Sequence, residues 1–514
     1  MYCGALELSD AASSGIFVVE GAPAGAPIEL YRETVAAFIG PTPRGPADIP
    51  LAVRSVGEYL QRFGSPDKPS RLEHYLTRFF DNGGTLAVVV RVCATYRRNE
   101  IHLPTAGGDL ILEALHPGPL EHLRAAVDYD QIPLDADRHF NLTIHRLAGV
   151  TQRMVIEQEI FPAVSADPQD PDFVGHALLR STLLRLREDG PGERPQLTLG
   201  SGASTGSDYI YADGIGGTPR SPSDYDLIGS ISEGTGLYAL EQLPRIDLLC
   251  IVPPEPGRSL GPVALFAAER YCRDRQALLL TEPPATWQLP GDVVSDQQRR
   301  EFASPNVVTC FPLPGDGSVL GALAGALVSR DAAGAVWSSS TSKLLNLRFP
   351  WQSQLKLHDS DVAALIRAGV NPLTAISPGW IQLHGGVTMA RGAGLSPEWG
   401  ELRWRRTALF IVAGIVHKSR WMLFSDIDAD VAMELHDKVE SFFRALHAAG
   451  ALAGNGAGDA WFLRRPLISA GRVDLDFGLA LRRPGEFDNY RLTRADGVCK
   501  IRELGWQPAL ATAS

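Results

Sequence analysis

Apolar residues recur at three- and four-residue steps through Ala432, Leu435, Val439, Phe442, Phe443 and Leu446. This spacing predicts a helix with one buried face. Glu434, Asp437, Lys438, Glu440, Arg444 and His447 fall on its polar face, and Gly450 stops it. Asp426 or Asp428 is placed to cap its first turn, because a carboxylate accepts the free amides there. Upstream, Arg405 to His417 is nearly continuous apolar, from Ala408 to Val416, and ends in the basic residues His417, Lys418 and Arg420. It predicts a second, more deeply buried helix, joined to the first through a short strand, Trp421 to Phe424.

The other half of the chain alternates in the same way. Thr34 to Gly40 and Leu86 to Val92 are continuous apolar runs and predict strands covered on both faces. Short helices are predicted at Ser55 to Phe63 and Tyr75 to Phe80, with a turn at Asp81-Asn82-Gly83-Gly84. Between about 100 and 195 the pattern turns β-rich, with Phe140 to Leu147 and Arg153 to Glu159 as strands, proline-rich joints and a helix over Val174 to Leu186. Gly, Ser and Asp dominate 195–235. Then strands at Ile246 to Val252, Ala277 to Leu280 and Val307 to Phe311 alternate with helices at Val263 to Arg275 and Val319 to Ala326, the signature of an α/β sheet. Residues 1–30 are small, apolar and Gly/Pro-rich around one strand-like run, Gly15–Glu20, and cannot build a core alone.

Composition narrows the class. A chain of 514 residues with 45% apolar residues has room for several domains. The net charge of −11 argues against a nucleic-acid surface. Six cysteines (Cys3, Cys93, Cys250, Cys272, Cys310, Cys499) lie scattered without a CxxC pair, as reduced, buried thiols do. No basic-then-apolar leader and no apolar run of about 18 residues is present, so direct membrane insertion is not expected.

Candidate chemistry is thin. Gly202-Ala203-Ser204-Thr205-Gly206 fits the GxSxG hydrolase elbow, which needs a strand before it and a helix after it. Gln196 to Leu199 could be that strand, but Ser207 to Gly214 cannot be that helix. Gly315 to Gly321 has the wrong spacing for a dinucleotide turn, and no phosphate loop occurs. Asp426, Asp428 and Asp430 begin like a calcium loop, but Val431 and Asp437 stand where glycine and glutamate belong. His417, His436 and His447 lack metal-ligand spacing and are expected on solvated faces. No catalytic, cofactor-binding or metal residue is assigned, and no cofactor is expected.

Ordered segments nevertheless resemble one family, the contractile tail sheath proteins of phages, phage-tail-like bacteriocins and contractile injection systems. TVAAFIGPTPRGP, VGEYLQRFG and HYLTRFFDNGGTLAVVVRV are similar to its N-terminal region. LEALHPGPLEHLRAAVDYD, RHFNLTIHRL and EQEIFPAVSADP resemble its β-rich section. GTGLYALEQLPRIDLLCIV, AAERYCRDRQALLLTEPPATW and LGALAGALVSRDAAGAVWSSS resemble its central domain, and WRRTALFIVAGIV with FFRALHAAGALAG its C-terminal domain. Two segments depart from its pattern: Ser338 to Thr341, usually Ala-Pro-Ala-Asn, and Leu383 to Met389.

The resemblance implies an α/β and α+β multidomain chain. It would carry a subtilisin-like, non-catalytic α/β central domain, a β-rich inserted outer domain and an α+β C-terminal sheath domain. The expected divisions are a linking arm (1–30), the N-terminal part of the core (31–100), the protruding domain (101–200), the central domain (201–345), the C-terminal domain (346–494) and a tail (495–514). The implied function is structural and not enzymatic: stacked hexameric rings around an inner tube, whose contraction drives the tube through a target envelope. A baseplate-proximal or terminal paralogue and, from another class, a degenerate serine hydrolase are the alternatives. Expected partners are further copies of the chain, the tube protein, and baseplate and terminator or cap proteins, with no nucleic acid. Assembly is expected in the bacterial cytoplasm, with possible release in a particle. The family's interlocked arms make Gly15, Ile16, Phe17, Val18, Val19 and Glu20, with Phe487, Asp488, Asn489, Tyr490, Arg491, Leu492 and Thr493, the expected strands linking subunits. His417, Lys418, Arg420, Glu434, Asp437, Lys438, Glu440 and Arg444 are the candidates to face the tube.

Overall fold

The computed structural model describes residues 33–64, 70–94, 97–118, 121–148, 154–198, 209–213, 221–255, 259–299, 303–313, 319–338, 344–350, 355–393, 399–419, 428–469, 471–495 and 498–508. Gly15–Glu20, Arg420, the run Trp421 to Phe424 and Ser204 lie outside them.

A nine-stranded sheet organises the chain. Its parallel centre is built from Ala87–Arg91, Ala36–Gly40, Leu248–Ile251, Leu278–Thr281, Val307–Phe311 and Asn371–Ser377, side by side in that order. The antiparallel strands Leu51–Val53 on one side, and Trp380–His384 then Leu344–Arg348 on the other, complete it. Strand alternation explains why these runs read as continuously apolar: both faces are covered. Ala36, Phe38, Leu248 and Cys250 pack one way, against the helices Arg71–Asp81 and Val319–Ala333. Ala37, Ile39, Leu249 and Ile251 pack the other way, with Ala268 and Cys272 of the helix Pro262–Asp274.

This sheet crosses the expected divisions. Segments placed in 31–100, 201–345 and the start of 346–494 share one core, because strand pairing joins residues that local pattern cannot relate. The two helices on the first face touch backbone to backbone. A Cβ on Gly321 would lie 2.0 Å from the Tyr75 carbonyl oxygen, and one on Gly325 2.1 Å from that of Phe79. Glycines four apart thus form the flat strip on which Arg71–Asp81 lies.

Residues from Glu100 to Asp213 form a separate β-rich domain inserted into the core. A four-stranded sheet (Ile210–Tyr211, Leu123–Asp128, His139–Leu147, Val155–Ser165) packs on a three-stranded one (Glu100–Pro104, Asp109–Ala114, Leu184–Leu186). Leu103, Leu112, Val127, Leu142 and Ile144 fill the space between. Its two ends meet: the Asp213 amide donates to the Glu100 carbonyl at 2.8 Å, and the Glu100 amide to Asp213 Oδ1 at 2.7 Å. Two expectations fail here. The helix over Val174 to Leu186 stops at Leu178, because the Ser181 hydroxyl accepts the amides of Leu183 and Leu184 and turns the chain into a strand. No strand forms at 196–198.

The C-terminal domain pairs the helices Leu402–Lys418 and Ala429–Ala448 with a five-stranded antiparallel sheet. Among the described residues no helix is long and apolar enough to cross a membrane. Cys93, Cys250, Cys272 and Cys310 are buried, free thiols, and Cys499 is half-buried. Burial pushes the Cys93 thiol up to about 11 and that of Cys310 to about 12, which keeps both unreactive.

Candidate assembly surfaces

The helix Ala429–Ala448 folds as its spacing dictates. Ala432, Leu435, Val439, Phe442, Phe443 and Leu446 are its buried residues. Of the two candidate caps, Asp428 does the work: its carboxylate accepts the Val431 amide at 2.7 Å. That role also accounts for the start of the calcium-like run. On the polar face Lys438 pairs with Glu434 at 2.7 Å and Arg444 with Glu440 at 2.7 Å, each one helical turn apart. Asp437 is exposed. Lys438 is nearly covered, its side chain 11% exposed, so among the tube-facing candidates on this helix Glu434, Asp437, Glu440 and Arg444 make up the accessible charge. His417 and Lys418 are half-buried at the end of Leu402–Lys418.

His447 corrects an expectation. Its ring packs on Trp461, centroids 5.5 Å apart, and Nε2 lies 3.0 Å from the Gly454 carbonyl, so it pins the chain beyond the helix instead of facing solvent. His436 brings its ring nitrogen together with carboxylate oxygens of Asp437 and Glu440, as His139 does with Asp170 and Asp172. Glu440 is already engaged by Arg444, and nothing else at either group points to an ion.

In the C-terminal sheet Val473, Leu475, Phe477 and Leu479 face the helices, while Asp474 and Asp476 face outward. Phe487 to Thr493 falls within the strand Glu486–Ala495, which lies between Arg472–Leu479 and Val498–Pro508. Both edges of this expected linking strand are taken by its own chain. One open edge of the sheet is instead the last strand, Val498–Pro508, beyond which no described strand pairs; the short strands Trp461–Leu463 and Leu467–Ser469 form the other. Arg491 holds Asp476 through two bonds of 2.6 and 2.8 Å, which raises the Arg491 pKa, and Thr493 donates to Asp474 at 2.6 Å. Across the next ladder Arg502 stands opposite Arg491 and Lys500 opposite Thr493, both exposed. Among the described residues no acid pairs with either, so the last strand's open edge is basic.

A buried polar seam fastens this domain to the core. Arg405 donates to Asn306 Oδ1 at 3.0 and 2.6 Å, and to Glu503 of the last strand at 2.9 Å. Arg406 grips Asp331 through both terminal nitrogens, and Thr34 donates to the same carboxylate at 2.6 Å. Both arginines are predicted by their neighbours to lie in a helix start, but nothing local marks them as buried. The one sequence signal was their presence in an otherwise apolar helix.

No protein-family model matches the chain, and no curated protein sequence does. Solved structures do. The sheath tail protein Lin1278 of Listeria innocua superposes with a TM-score of 0.59 at 12% identity, over 90% of this chain and 96% of that one. A sheath tail protein of Desulfitobacterium hafniense gives 0.52 at 11% identity, covering 94% and 100%. The sheath of an extracellular contractile injection system, PVC, in its contracted state gives 0.50 at 12%, covering 93% and 96%. At such identity the likeness is one of architecture, and it spans core, insertion and C-terminal domain together. The chain has the fold of contractile tail sheath proteins.

Proposed function

We propose that this protein is a sheath subunit of a contractile tail or injection system, polymerising around a rigid tube and contracting to drive it forward. The observation that carries this reading is the match of nearly the whole chain, in order, to sheath proteins and to nearly the whole of theirs. No catalytic residue is required. A metastable lattice in which each subunit releases a few kcal/mol on repacking sums to a large output of work. We take the large α/β domain as a non-catalytic, subtilisin-like scaffold. The inserted domain, tethered by two adjacent crossings, is placed on the outside of the cylinder.

Subunits must stay joined while their interfaces slide, and backbone pairing to a sheet edge does this with little demand on sequence. The segment Gly15–Glu20 of one copy is assigned to the open edge of Val498–Pro508 in another. Charge supports the pairing. Residues 1–31 carry Glu7, Asp10, Glu20 and Glu29 and no lysine or arginine, whereas the edge presents Lys500 and Arg502. The polar face of Ala429–Ala448, with His417, Lys418 and Arg420, is assigned to the tube. Partners are further copies, the tube, and baseplate and terminator proteins; assembly takes place in the bacterial cytoplasm.

Co-expression with a tube protein, followed by electron microscopy, tests the function: striated sheaths that shorten on acid or urea treatment are expected. Globular particles with no tube-dependent polymer would overturn it. Deleting residues 1–20 should leave a folded protomer that forms no sheath, and sheaths of normal length from that deletion would remove the arm from the mechanism.

A further inference from the structure

In the strands Leu278–Thr281 and Val307–Phe311 the apolar run breaks at Thr281 and Thr309, which pair in register, Thr281 at the carboxyl end of its strand and Thr309 at the middle of the next, parallel one. Both turn toward the first turn of the helix Pro262–Asp274, the side on which Leu279 and Val307 pack. Here lies a crevice of about 500 Å³, walled by Leu265, Phe266 and Trp287. That volume falls within the range of about 300–1,000 Å³ usual for small-molecule sites, and carboxyl ends of parallel strands are where α/β sheets bind ligands.

Its polar groups point one way. Thr309 Oγ1 is buried, on a residue 2% exposed, and has no hydrogen-bond partner among the described residues. Among the described residues the Thr281 hydroxyl reaches only the Glu282 carbonyl, at a long 3.4 Å. The helix Pro262–Asp274 begins at Gly261 without a cap from that residue; Asp224 takes the Gly261 amide and Pro262 has no N–H, which leaves the amides of Val263 and Ala264 without a partner inside the helix. A buried hydroxyl without a partner costs free energy, and this one sits beside unfilled donors. The charges nearby disfavour an anion. Asp224 accepts the Gly261 amide at 2.8 Å, and Glu282 is balanced by Arg71 at 2.7 Å and by the Tyr75 hydroxyl.

We propose that this crevice binds a small neutral molecule carrying a carbonyl or amide on an aromatic or apolar body. The carbonyl oxygen accepts from Thr309 Oγ1 and from the helix start, and the body packs on Leu265, Phe266 and Trp287. The site is remote in sequence from the C-terminal sheet and the charged helix, and it does not rest on the sheath reading.

Benzamide is a direct probe, with benzoate as its charged counterpart, each titrated onto the full chain by saturation-transfer NMR. Saturable benzamide binding is expected with a dissociation constant on the order of 1 mM, the affinity a fragment of this size can supply. Thr309→Val keeps the shape, removes the hydroxyl, and should weaken benzamide about tenfold while raising the melting temperature. Leu265→Phe should block the crevice and abolish the signal, with circular dichroism confirming the fold. Absence of a saturable benzamide signal up to about 10 mM would overturn the site. Equal affinity in Thr309→Val, or benzoate binding as tightly as benzamide, would overturn the assigned chemistry.

Discussion

Two appendages leave the same α/β core, and they are fastened by opposite means. The C-terminal domain is held by guanidinium groups driven into the core: the Arg406 and Asp331 side chains are 7% and 2% exposed. The inserted domain is held at its rim by pairs open to water, such as Arg97 with Asp213, whose side chains are 60% and 42% exposed. Beneath that rim Arg91 donates to the Thr42 and Gly45 carbonyls, and Arg146 reaches Glu121 and Glu157. Buried pairs resist separation because each charge, once parted, is stranded away from water. Exposed pairs exchange their partner for solvent at little cost. The first joint suits a domain that must move together with the core; the second suits one that rides on it.

Breaking the stronger joint should have the largest effect. Arg406→Met leaves the buried Asp331, among the described residues, with the Thr34 hydroxyl and the more distant charge of Arg330, and about 3–5 kcal/mol of stability should be lost, read by urea denaturation of the intact chain. A loss below about 1 kcal/mol would mean that the seam is no stronger than a surface contact.

The joint of the inserted domain should instead reveal itself in acid. Burial, then Arg146, Arg91, Arg98 and Arg44, hold the His116 imidazole down to about 3. The folded state therefore keeps it neutral, whereas the unfolded chain takes up a proton near pH 6.5. Stability from this group is full above pH 6.5 and is lost as pH falls toward 3, with about 2 kcal/mol gone at pH 5. His116→Gln should flatten the stability profile between pH 6.5 and 5 by that amount. An unchanged profile would place the acid sensitivity elsewhere. At the rim, Arg97→Ala should change stability by only ~0–1 kcal/mol at neutral pH, and a larger loss would erase the contrast between the joints.

Much of this was legible in the sequence, and the limit is physical. The helix Ala429–Ala448 was readable residue by residue because its six buried side chains repeat with the helical period. Val307–Phe311 was readable to its ends because both faces are apolar. What pattern could not supply was partnership. Arg406 meets an aspartate 75 residues away, and Thr34 reaches the same carboxylate across 297. Phe487 to Thr493 was rightly seen as extended, but extension does not say which neighbour takes each edge. The same blindness split one sheet among three expected divisions. His447 was assigned to solvent because helical phase put it on the polar face, where Trp461, brought back by the turn after Gly450, covers it.

The smallest effect on folding belongs to the outer face of the domain that the seam holds so firmly. Arg444→Glu turns the exposed pair of Glu440 and Arg444 into like-charge neighbours and leaves Lys438, whose side chain is only 11% exposed, in place. An exposed pair of this kind is worth only ~0.3–0.5 kcal/mol, so the protomer should remain folded, with a melting temperature within a few degrees of the parent. If this face meets the tube, the same change replaces a cation by an anion on a surface that must grip and then release. Charge pairs suit that demand better than apolar burial, since each breaks at little cost as rings widen. Sheath recovered on purified tubes should then fall in the Arg444→Glu variant, and most at low salt, where repulsion is unscreened; above about 0.5 M salt the variant and parent should converge. Equal co-sedimentation at every salt concentration would leave this helix as a solvated wall and move the tube contact to another face of the domain.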